Sequence, residues 1–197
     1  MNRVVVITGG AGGMGQATAQ LVGRDHAVVL CDVRADRLDG AAAALADLGI
    51  NPTTVDCDVT DRQAVTRLFE TAAGLGALAS VIHTAGVSPS MGDAAYVMKT
   101  NALGTVHVNE VFYQTAGAGA AIVNVASMAA HMLPDEMIPT TKFPLALEDD
   151  DAQSLDASTQ IRGEVGERFG DRRGVTGIGT GDGLGDGGGV GHVVGER

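Results

Sequence analysis

Aromatic side chains are scarce in this chain of 197 residues, which has no tryptophan, two tyrosines and four phenylalanines. A core must therefore be built from Val, Ala, Leu and Ile, a composition typical of strands buried on both faces beneath Ala-rich helices. Cysteine is equally rare, and Cys31 and Cys57 are too few for a disulfide framework. No apolar stretch approaches the roughly 20 residues of a membrane span. We expect a soluble α/β protein.

Basic side chains are outnumbered by acidic ones, 13 against 24, which gives a formal charge of -11. Nucleic acid and anionic membrane surfaces carry the same sign of charge, so the sequence predicts neither as a partner. A small molecule is the expected partner. The segment from Met1 to Val4 runs directly into an apolar stretch without the layout of a signal peptide, which predicts a cytoplasmic location.

Short aliphatic runs alternate with segments of helical period, the pattern of a parallel sheet covered by helices on both faces. Strands are predicted at residues 4–7, 27–31, 52–56, 80–83 and 121–125. The first helix places Ala17, Leu21 and Val22 on one side. The third begins at a capping-box pattern of Thr60 and Gln63.

The composition changes beyond residue 147. Residues 148–151 are all acidic, and 14 of the 35 residues from Gly163 to Arg197 are glycine. Such a segment buries too little apolar surface to offset its backbone entropy. The sequence predicts one domain over residues 1–147, followed over residues 148–197 by an acidic linker and a Gly-rich tail that is largely disordered. The fifth strand would then keep an unpaired edge.

A glycine cluster, TGGAGGMG at residues 8–15, lies between the first strand and the first helix. Its spacing fits two phosphate-loop patterns, G-x-G-x-x-G through Gly10, Gly12 and Gly15 and T-G-x-x-x-G-x-G through Thr8, Gly9, Gly13 and Gly15. Glycine permits the sharp turn, the close approach of the backbone to a pyrophosphate and tight packing of the helix, whose free amides attract phosphate. The alternative is a flexible loop with no ligand.

Asp32 ends the second predicted strand, 17 residues after Gly15. A carboxylate there accepts hydrogen bonds from adenosine ribose hydroxyls and repels a 2′-phosphate. The glycine cluster contains no Arg or Lys, although Arg34 follows closely. The balance favours NAD over NADP as the cofactor. The alternative is an Asp that merely starts a turn.

Residues 1 to about 133 resemble the short-chain dehydrogenase/reductase family. Beyond the glycine cluster and Asp32, the matches are Asp58-Val59 as the adenine-contacting pair, His83-Thr84-Ala85-Gly86 where the family has N-N-A-G, Asn101 in a helix and Ser127 after the fifth strand. The cofactor-binding residues implied by the resemblance are Thr8, Gly9, Gly13, Met14, Gly15, Asp32, Val33, Asp58, Val59, Thr84, Ala85 and Gly86.

The resemblance also implies a fold and a reaction. The fold is a doubly wound, Rossmann-type parallel sheet of order 3-2-1-4-5 in a three-layer α/β/α arrangement. The reaction is hydride transfer between the nicotinamide and a secondary alcohol or ketone. In the family, the residue matching Ser127 hydrogen-bonds the substrate oxygen, and the one matching Asn101 interrupts a helical hydrogen-bond ladder and holds a water in the proton relay.

One part of the family pattern is missing, the Y-x-x-x-K motif in which a lysine favours the phenolate that acts as the base. No tyrosine follows Tyr113, and two prolines between residues 139 and 144 oppose a helix there. Tyr96 precedes the serine and is three residues from Lys99, so we interpret it as helix packing. His131 is an alternative base or a solvated loop residue, and Met128, Met132 and Leu133 line a substrate pocket or pack within the loop.

Two functions therefore stay open, an NAD-dependent oxidoreductase and a catalytically silent NAD-binding remnant. The family's tyrosine helix forms much of its dimer contact, so a homo-oligomer is possible here only without that helix. A change of coding frame near residue 150, which we favour as a hypothesis, or natural shortening would explain the altered sequence.

Overall fold

Parallel strands joined by helices make up most of the fold. The computed structural model describes residues 2–128 and 191–196. The elements are β1 (Arg3–Thr8), α1 (Gly13–Val22), β2 (Ala27–Asp32), α2 (Ala35–Ala46), β3 (Thr53–Asp56), α3 (Arg62–Leu75), β4 (Ala77–His83), α4 (Ala94–Met98), a π-helical segment (Lys99–Leu103), α5 (Gly104–Thr115), β5 (Ala121–Val125) and β6 (Gly191–Glu196).

The sheet has the order β3-β2-β1-β4-β5-β6, and its first five strands are parallel to one another. This confirms the predicted order 3-2-1-4-5 and the doubly wound α/β fold. The chain reverses direction across the sheet between β1 and β4, which lie side by side although two strands separate them in sequence. In open α/β sheets, ligands bind at such a switch point, beyond the carboxyl ends of the strands.

Both faces of the sheet are buried because alternate residues of its aliphatic strands point to opposite sides. On one face, Val4 and Val6 of β1 pack with residues of α3 and α5. On the other face, Val5 and Ile7 pack with residues of α1 and α2. The strands therefore read as continuous apolar runs, as the sequence predicted, and the aliphatic core forms two clusters in a three-layer arrangement.

The sixth strand was not predicted. Gly191–Glu196 pairs antiparallel with β5, with Val193 opposite Val123 and Val194 opposite Ile122. The expectation of an unpaired β5 edge is therefore wrong, whereas the prediction of a largely disordered tail stays a prediction. An edge strand such as β5 would otherwise leave its N–H and C=O groups unpaired, and these groups provide a template on which a short segment can add as a strand. The predicted boundary at residue 147 and the rest of the tail lie outside the described residues.

Two local predictions about helices are wrong. Helix α3 is capped not by Thr60 but by Asp61, whose carboxylate accepts the backbone N–H groups of Gln63 and Ala64 at 2.8 and 3.2 Å. In α1, Leu21 is 69% exposed, and the buried residues are Gly15 and Ala19. A small residue lets the helix approach the sheet closely, and this requirement outweighs the pattern of large apolar residues.

Within the described part of the chain, no helix is long and apolar enough to cross a membrane. Cys31 and Cys57 are both buried free thiols. A hydrogen bond with Cys57 and burial raise the pKa of the Cys31 thiol well above its ordinary value. The two thiols thus serve as small core residues.

Candidate dinucleotide site at the carboxyl edge of the sheet

The carboxyl ends of the five parallel strands bring the predicted site residues to one edge of the sheet. Strands β1, β2 and β4 end at Thr8, Asp32 and His83. The glycine cluster, Val33, Asp58-Val59, Thr84-Ala85-Gly86 and Ser127 follow their strands directly or within two residues. Their roles toward a cofactor stay predictions, but the fold places them in a common region.

The glycine cluster turns tightly between β1 and α1. Gly9 has a φ of +64°, and a Cβ added there would lie 2.8 Å from the backbone nitrogen of Ala85. A Cβ on Gly15 would lie 2.5 Å from the carbonyl oxygen of Gly9. These two glycines are therefore required by the fold. Gly13 differs, because a Cβ there would meet nothing within 4 Å.

Helix α1 begins without a capping side chain, since its N-cap residue is Gly12. In contrast, Asp61 and Asp93 cap α3 and α4 through their carboxylates. The first turn of any helix leaves backbone N–H groups without intrahelical acceptors, and these groups favour an anion. Gly13 and Met14, which begin the helix, are both exposed at this end. At the start of α1, backbone N–H groups without a side-chain cap therefore lie next to open space.

Asp32 is held beside the glycine cluster by two backbone donors. Its Oδ2 accepts the N–H of Ala11 at 3.1 Å, and its Oδ1 accepts the N–H of Arg34 at 3.2 Å. Each carboxylate oxygen has a further lone pair, so both oxygens can accept additional hydrogen bonds. The bond to Ala11 links the end of β2 directly to the loop after β1. The neighbouring Val33 is 54% exposed.

Arg34, the basic residue that follows Asp32 most closely, is paired with Asp36. Its Nε and Nη2 donate to the two Asp36 oxygens at 3.0 and 2.9 Å. Hydrogen bonding with Asp36 raises the pKa of Arg34 and lowers that of Asp36. Both side chains are exposed, so the pair is weak, but its geometry directs the guanidinium toward the start of α2.

The residues after β3 differ in exposure. Asp58 is exposed and accepts the N–H of Thr60 through Oδ1 at 2.9 Å. Val59 is buried, and a Cβ on Gly104 would lie 2.6 Å from its Cγ2 atom. The ring nitrogen Nδ1 of His107 lies 3.0 Å from the Val59 carbonyl oxygen and donates to it. Thus α5 fixes the position of the Asp58-Val59 pair.

Thr8 joins the end of β1 to the turn after β4. Its carbonyl oxygen accepts the Thr84 hydroxyl at 2.6 Å and the Thr84 N–H at 3.3 Å. Its own hydroxyl oxygen accepts the N–H of Ala85 at 3.2 Å. The resemblance implied a cofactor-binding role for all three residues, and in the structure they form one junction at the switch point of the sheet.

His83, which replaces the first Asn of the family's N-N-A-G, is a buried residue whose contacts the sequence did not reveal. Its Nδ1 lies 2.7 Å from the Thr8 hydroxyl and its Nε2 lies 3.0 Å from the Thr105 hydroxyl. Burial lowers the pKa of His83 to about 4, so the ring is neutral near pH 7. No single signal in the sequence distinguishes this arrangement from a histidine that merely ends a strand.

Asn101 lies in the π segment, between α4 and α5. The α-helical hydrogen-bond pattern is replaced by a π-helical one over these residues. Its side chain binds both backbone groups of Val87, accepting the N–H at 2.8 Å and donating to the carbonyl at 2.9 Å. Its own carbonyl oxygen accepts the Thr105 hydroxyl at 2.7 Å. A role in proton relay stays a prediction.

Ser127 lies two residues beyond β5 and is exposed, at the same edge as the other predicted residues.

Tyr96 is 45% exposed, so its interpretation as helix packing holds only in part. Its ring covers Gly92, where an added Cβ would be 2.4 Å away from it. Met128 is also exposed. The alternative base His131, together with Met132 and Leu133, lies outside the described residues.

Comparison with known proteins decides the family. The model for short chain dehydrogenases matches residues 3–139. This chain belongs to the short-chain dehydrogenase family. The resemblance predicted from the glycine cluster, Asp32, Asn101 and Ser127 is thereby confirmed at the level of the family.

Several named proteins are similar to this chain. The 1-deoxy-11-beta-hydroxypentalenate dehydrogenase of Streptomyces avermitilis is 34% identical over 142 residues, covering 65% of this chain and 53% of the relative. The cis-4-hydroxycyclohexanecarboxylate dehydrogenase of Sinomonas cyclohexanicum is 43% identical over 88 residues, covering 44% and 35%. The solved citronellol catabolism dehydrogenase of Pseudomonas aeruginosa PAO1 is 28% identical, with a TM-score of 0.58, and the match covers 67% of this chain and 59% of that one.

The chain thus spans about half the length of the curated relatives it matches or less, between 32% and 53% for the first of them. The shared part includes the glycine cluster and the carboxyl edge of the sheet, since the family match begins at residue 3. The substrates that appear in the names of these relatives describe those proteins and not this chain.

The buried His83 predicts a loss of stability in acid. Its pKa is about 4 in the folded chain and about 6.5 when unfolded. Above pH 6.5 both states are neutral. As the pH falls toward 4, the unfolded state takes up the proton first, which lowers the free energy of unfolding by about 3 kcal/mol in total.

Denaturant unfolding of the wild type and His83→Gln at pH 7 and pH 4.5 measures this effect. We expect a smaller loss in the variant, because glutamine does not titrate. Equal losses in both proteins would contradict the account.

Proposed function

We propose that this chain binds NAD at the carboxyl edge of its sheet, and that the site serves hydride transfer between the nicotinamide and a secondary alcohol or ketone. The observation that carries the proposal is the combination of open space at Gly13 with the uncapped start of α1. These features support a pyrophosphate position, because its charge would meet backbone amides without meeting a Cβ.

Asp32 supports the adenosine end of the same site. The 3.1 Å hydrogen bond from Ala11 to Oδ2 fixes the carboxylate beside the loop proposed to hold the pyrophosphate. Its remaining lone pairs suit the two ribose hydroxyls, which are donors. Asp58, exposed after β3, is the proposed side-chain contact to adenine. Thr84, Ala85 and Gly86 would line the path toward the nicotinamide.

The preference for NAD over NADP is supported by charge. A 2′-phosphate beside Asp32 would be repelled, and NADP sites offset such charge with a nearby Arg. Here the guanidinium of Arg34 is bound by both oxygens of Asp36. The basic group that could receive the phosphate is therefore engaged by another carboxylate.

A second candidate function, NAD binding without turnover, is favoured by the absence of any tyrosine after Tyr113. When bound, the cofactor supplies the hydride or accepts it. The chain must hold the substrate oxygen, the role proposed for Ser127, and move a proton to or from it. A phenol serves as that base only when a cation lowers its pKa of about 10, and this chain offers no such pair after the serine.

Replacing Gly13 tests the proposed cofactor site. Gly13→Ala places a methyl group in the open space, so we expect NAD affinity to fall by about tenfold, or 1.4 kcal/mol. Stability should not fall, because alanine favours the helix over glycine. Calorimetric titration with NAD measures the first effect and thermal unfolding the second.

Gly40→Ala is the matched control, since Gly40 lies in α2 and also has nothing within 4 Å of an added Cβ. We expect a similar gain in stability and unchanged NAD affinity. Equal affinities of the two variants for NAD would refute a pyrophosphate position at Gly13.

Releasing Arg34 tests the cofactor preference. Asp36→Ala frees the guanidinium, and we expect the ratio of NADP to NAD affinity to rise by about two- to fivefold, the scale of an exposed ion pair. Asp39→Ala removes the same charge from the same helix without removing the partner of Arg34. The proposal fails if both variants shift the ratio equally.

Turnover separates the two candidate functions. Loss of a general acid or base costs about 10²- to 10⁴-fold in rate, so a dehydrogenase without the tyrosine should retain slow NADH oxidation with a panel of ketones. That oxidation should disappear in Ser127→Ala. Saturable NAD binding with no oxidation in the wild type would instead establish the second candidate.

A further inference from the structure

We propose that His83 is a positioning residue that holds the π segment with Asn101 against the glycine cluster, through a chain of hydrogen bonds from Thr8 to the Asn101 carbonyl. The contacts stand by themselves, and their relevance to catalysis rests on the proposed function. These hydrogen bonds run from β1 through β4 to the junction of the π segment with α5. The three elements are distant in sequence.

The direction of each hydrogen bond follows from the end at Asn101. A carbonyl oxygen only accepts, so the Thr105 hydroxyl at 2.7 Å donates to it. Because this uses the only hydroxyl proton of Thr105, the oxygen must accept from Nε2 of His83, which lies 3.0 Å away. The neutral ring therefore carries its proton on Nε2.

The other end of the chain agrees with this assignment. With the proton on Nε2, Nδ1 is an acceptor and receives the Thr8 hydroxyl at 2.7 Å. The Thr8 oxygen in turn accepts the N–H of Ala85 at 3.2 Å. Each hydroxyl proton and the ring proton has an acceptor, so one proton arrangement satisfies every group.

The hydrogen-bond chain also affects the loop after β4, because Asn101, its last residue, binds that loop. The Asn101 side chain binds both backbone groups of Val87, four residues after His83. Asn109, one turn after Thr105, donates to the Thr105 carbonyl at 2.7 Å and exchanges hydrogen bonds with Asn124 of β5 at 3.1 and 3.2 Å. The polar side of α5 is thereby tied to two strands.

Simple packing would not require this arrangement. His83 is 2% exposed and Thr8 is fully buried, so an apolar residue at position 83 would leave the buried Thr8 hydroxyl without its acceptor, which is costly. Asparagine presents its amide near the position of Nδ1, whereas glutamine presents one near Nε2. Only a side chain with polar atoms at both positions completes the chain.

The tautomer of His83 in the wild-type chain is the first test. Nitrogen-15 NMR of the ring, recorded without cofactor at pH 7, should show a protonated Nε2 and an unprotonated Nδ1. A proton on Nδ1, or rapid exchange between the tautomers, would overturn the proposal. The measurement needs no variant and does not depend on NAD binding.

Hydrogen exchange at the Val87 amide, which Asn101 holds, is the second test. Relative to the core amide of Val6, we expect exchange to speed up by about tenfold in Thr105→Val, the scale of one broken hydrogen bond. Thr105→Ser keeps the hydroxyl and should restore slow exchange. His83→Gln and His83→Asn should both speed up the exchange, because neither side chain has polar atoms at both ring-nitrogen positions.

Val108→Ala controls for stability alone, because Val108 is a fully buried residue of α5 on the aliphatic side. It should leave the ratio of Val87 to Val6 exchange unchanged. If Thr105→Val and Val108→Ala give the same ratio, the chain does not position Asn101. Should the His83 variants fail to fold, the three substitutions in α5 decide the matter. Absence of NAD binding would defeat the proposed function while leaving these results interpretable.

Discussion

The close approach of β1 and β4 at their carboxyl ends is the constraint on which the site depends. Thr8 accepts hydrogen bonds from Thr84 and Ala85, and Gly9 passes so near to Ala85 that no Cβ fits between them. This contact closes the sheet at its switch point and turns the chain into the glycine cluster. The start of α1 and the turn after β4 are positioned by that junction, and Asp32 is tied to the same loop by the N–H of Ala11.

Much of this could be predicted from the sequence because the strands are buried on both faces. Val4 to Ile7 form an uninterrupted aliphatic run, and only a strand between two helical layers buries such a run completely. The glycine cluster was informative because of its position. Between an aliphatic strand and a helix, it must form a tight turn with free backbone N–H groups at the start of the helix. Asp32 then followed from its position at the end of the next run.

The remaining features depend either on a choice between local alternatives of similar energy or on contacts between segments that are distant in sequence. Thr60 and Asp61 are both good N-caps, and one residue decides where α3 begins. Leu21 matched a helical stripe, yet the packed side of α1 is defined by Gly15 and Ala19. β6 pairs with an edge strand from a distant part of the chain. The partners of His83 depend on three elements meeting, which no single segment encodes.

The fold thus brings together the glycine cluster, Asp32 and the turn after β4, which we propose bind a dinucleotide, whereas no tyrosine follows Tyr113 in the sequence. Cofactor binding is consequently the central claim, and amide-resolved NMR of the wild-type chain during titration with NAD tests it most directly. The account predicts saturable shifts at Gly13, Gly15, Asp32 and Thr84 to Gly86, with little change in α3. An absence of shifts at millimolar NAD, or shifts confined to other regions, would contradict it.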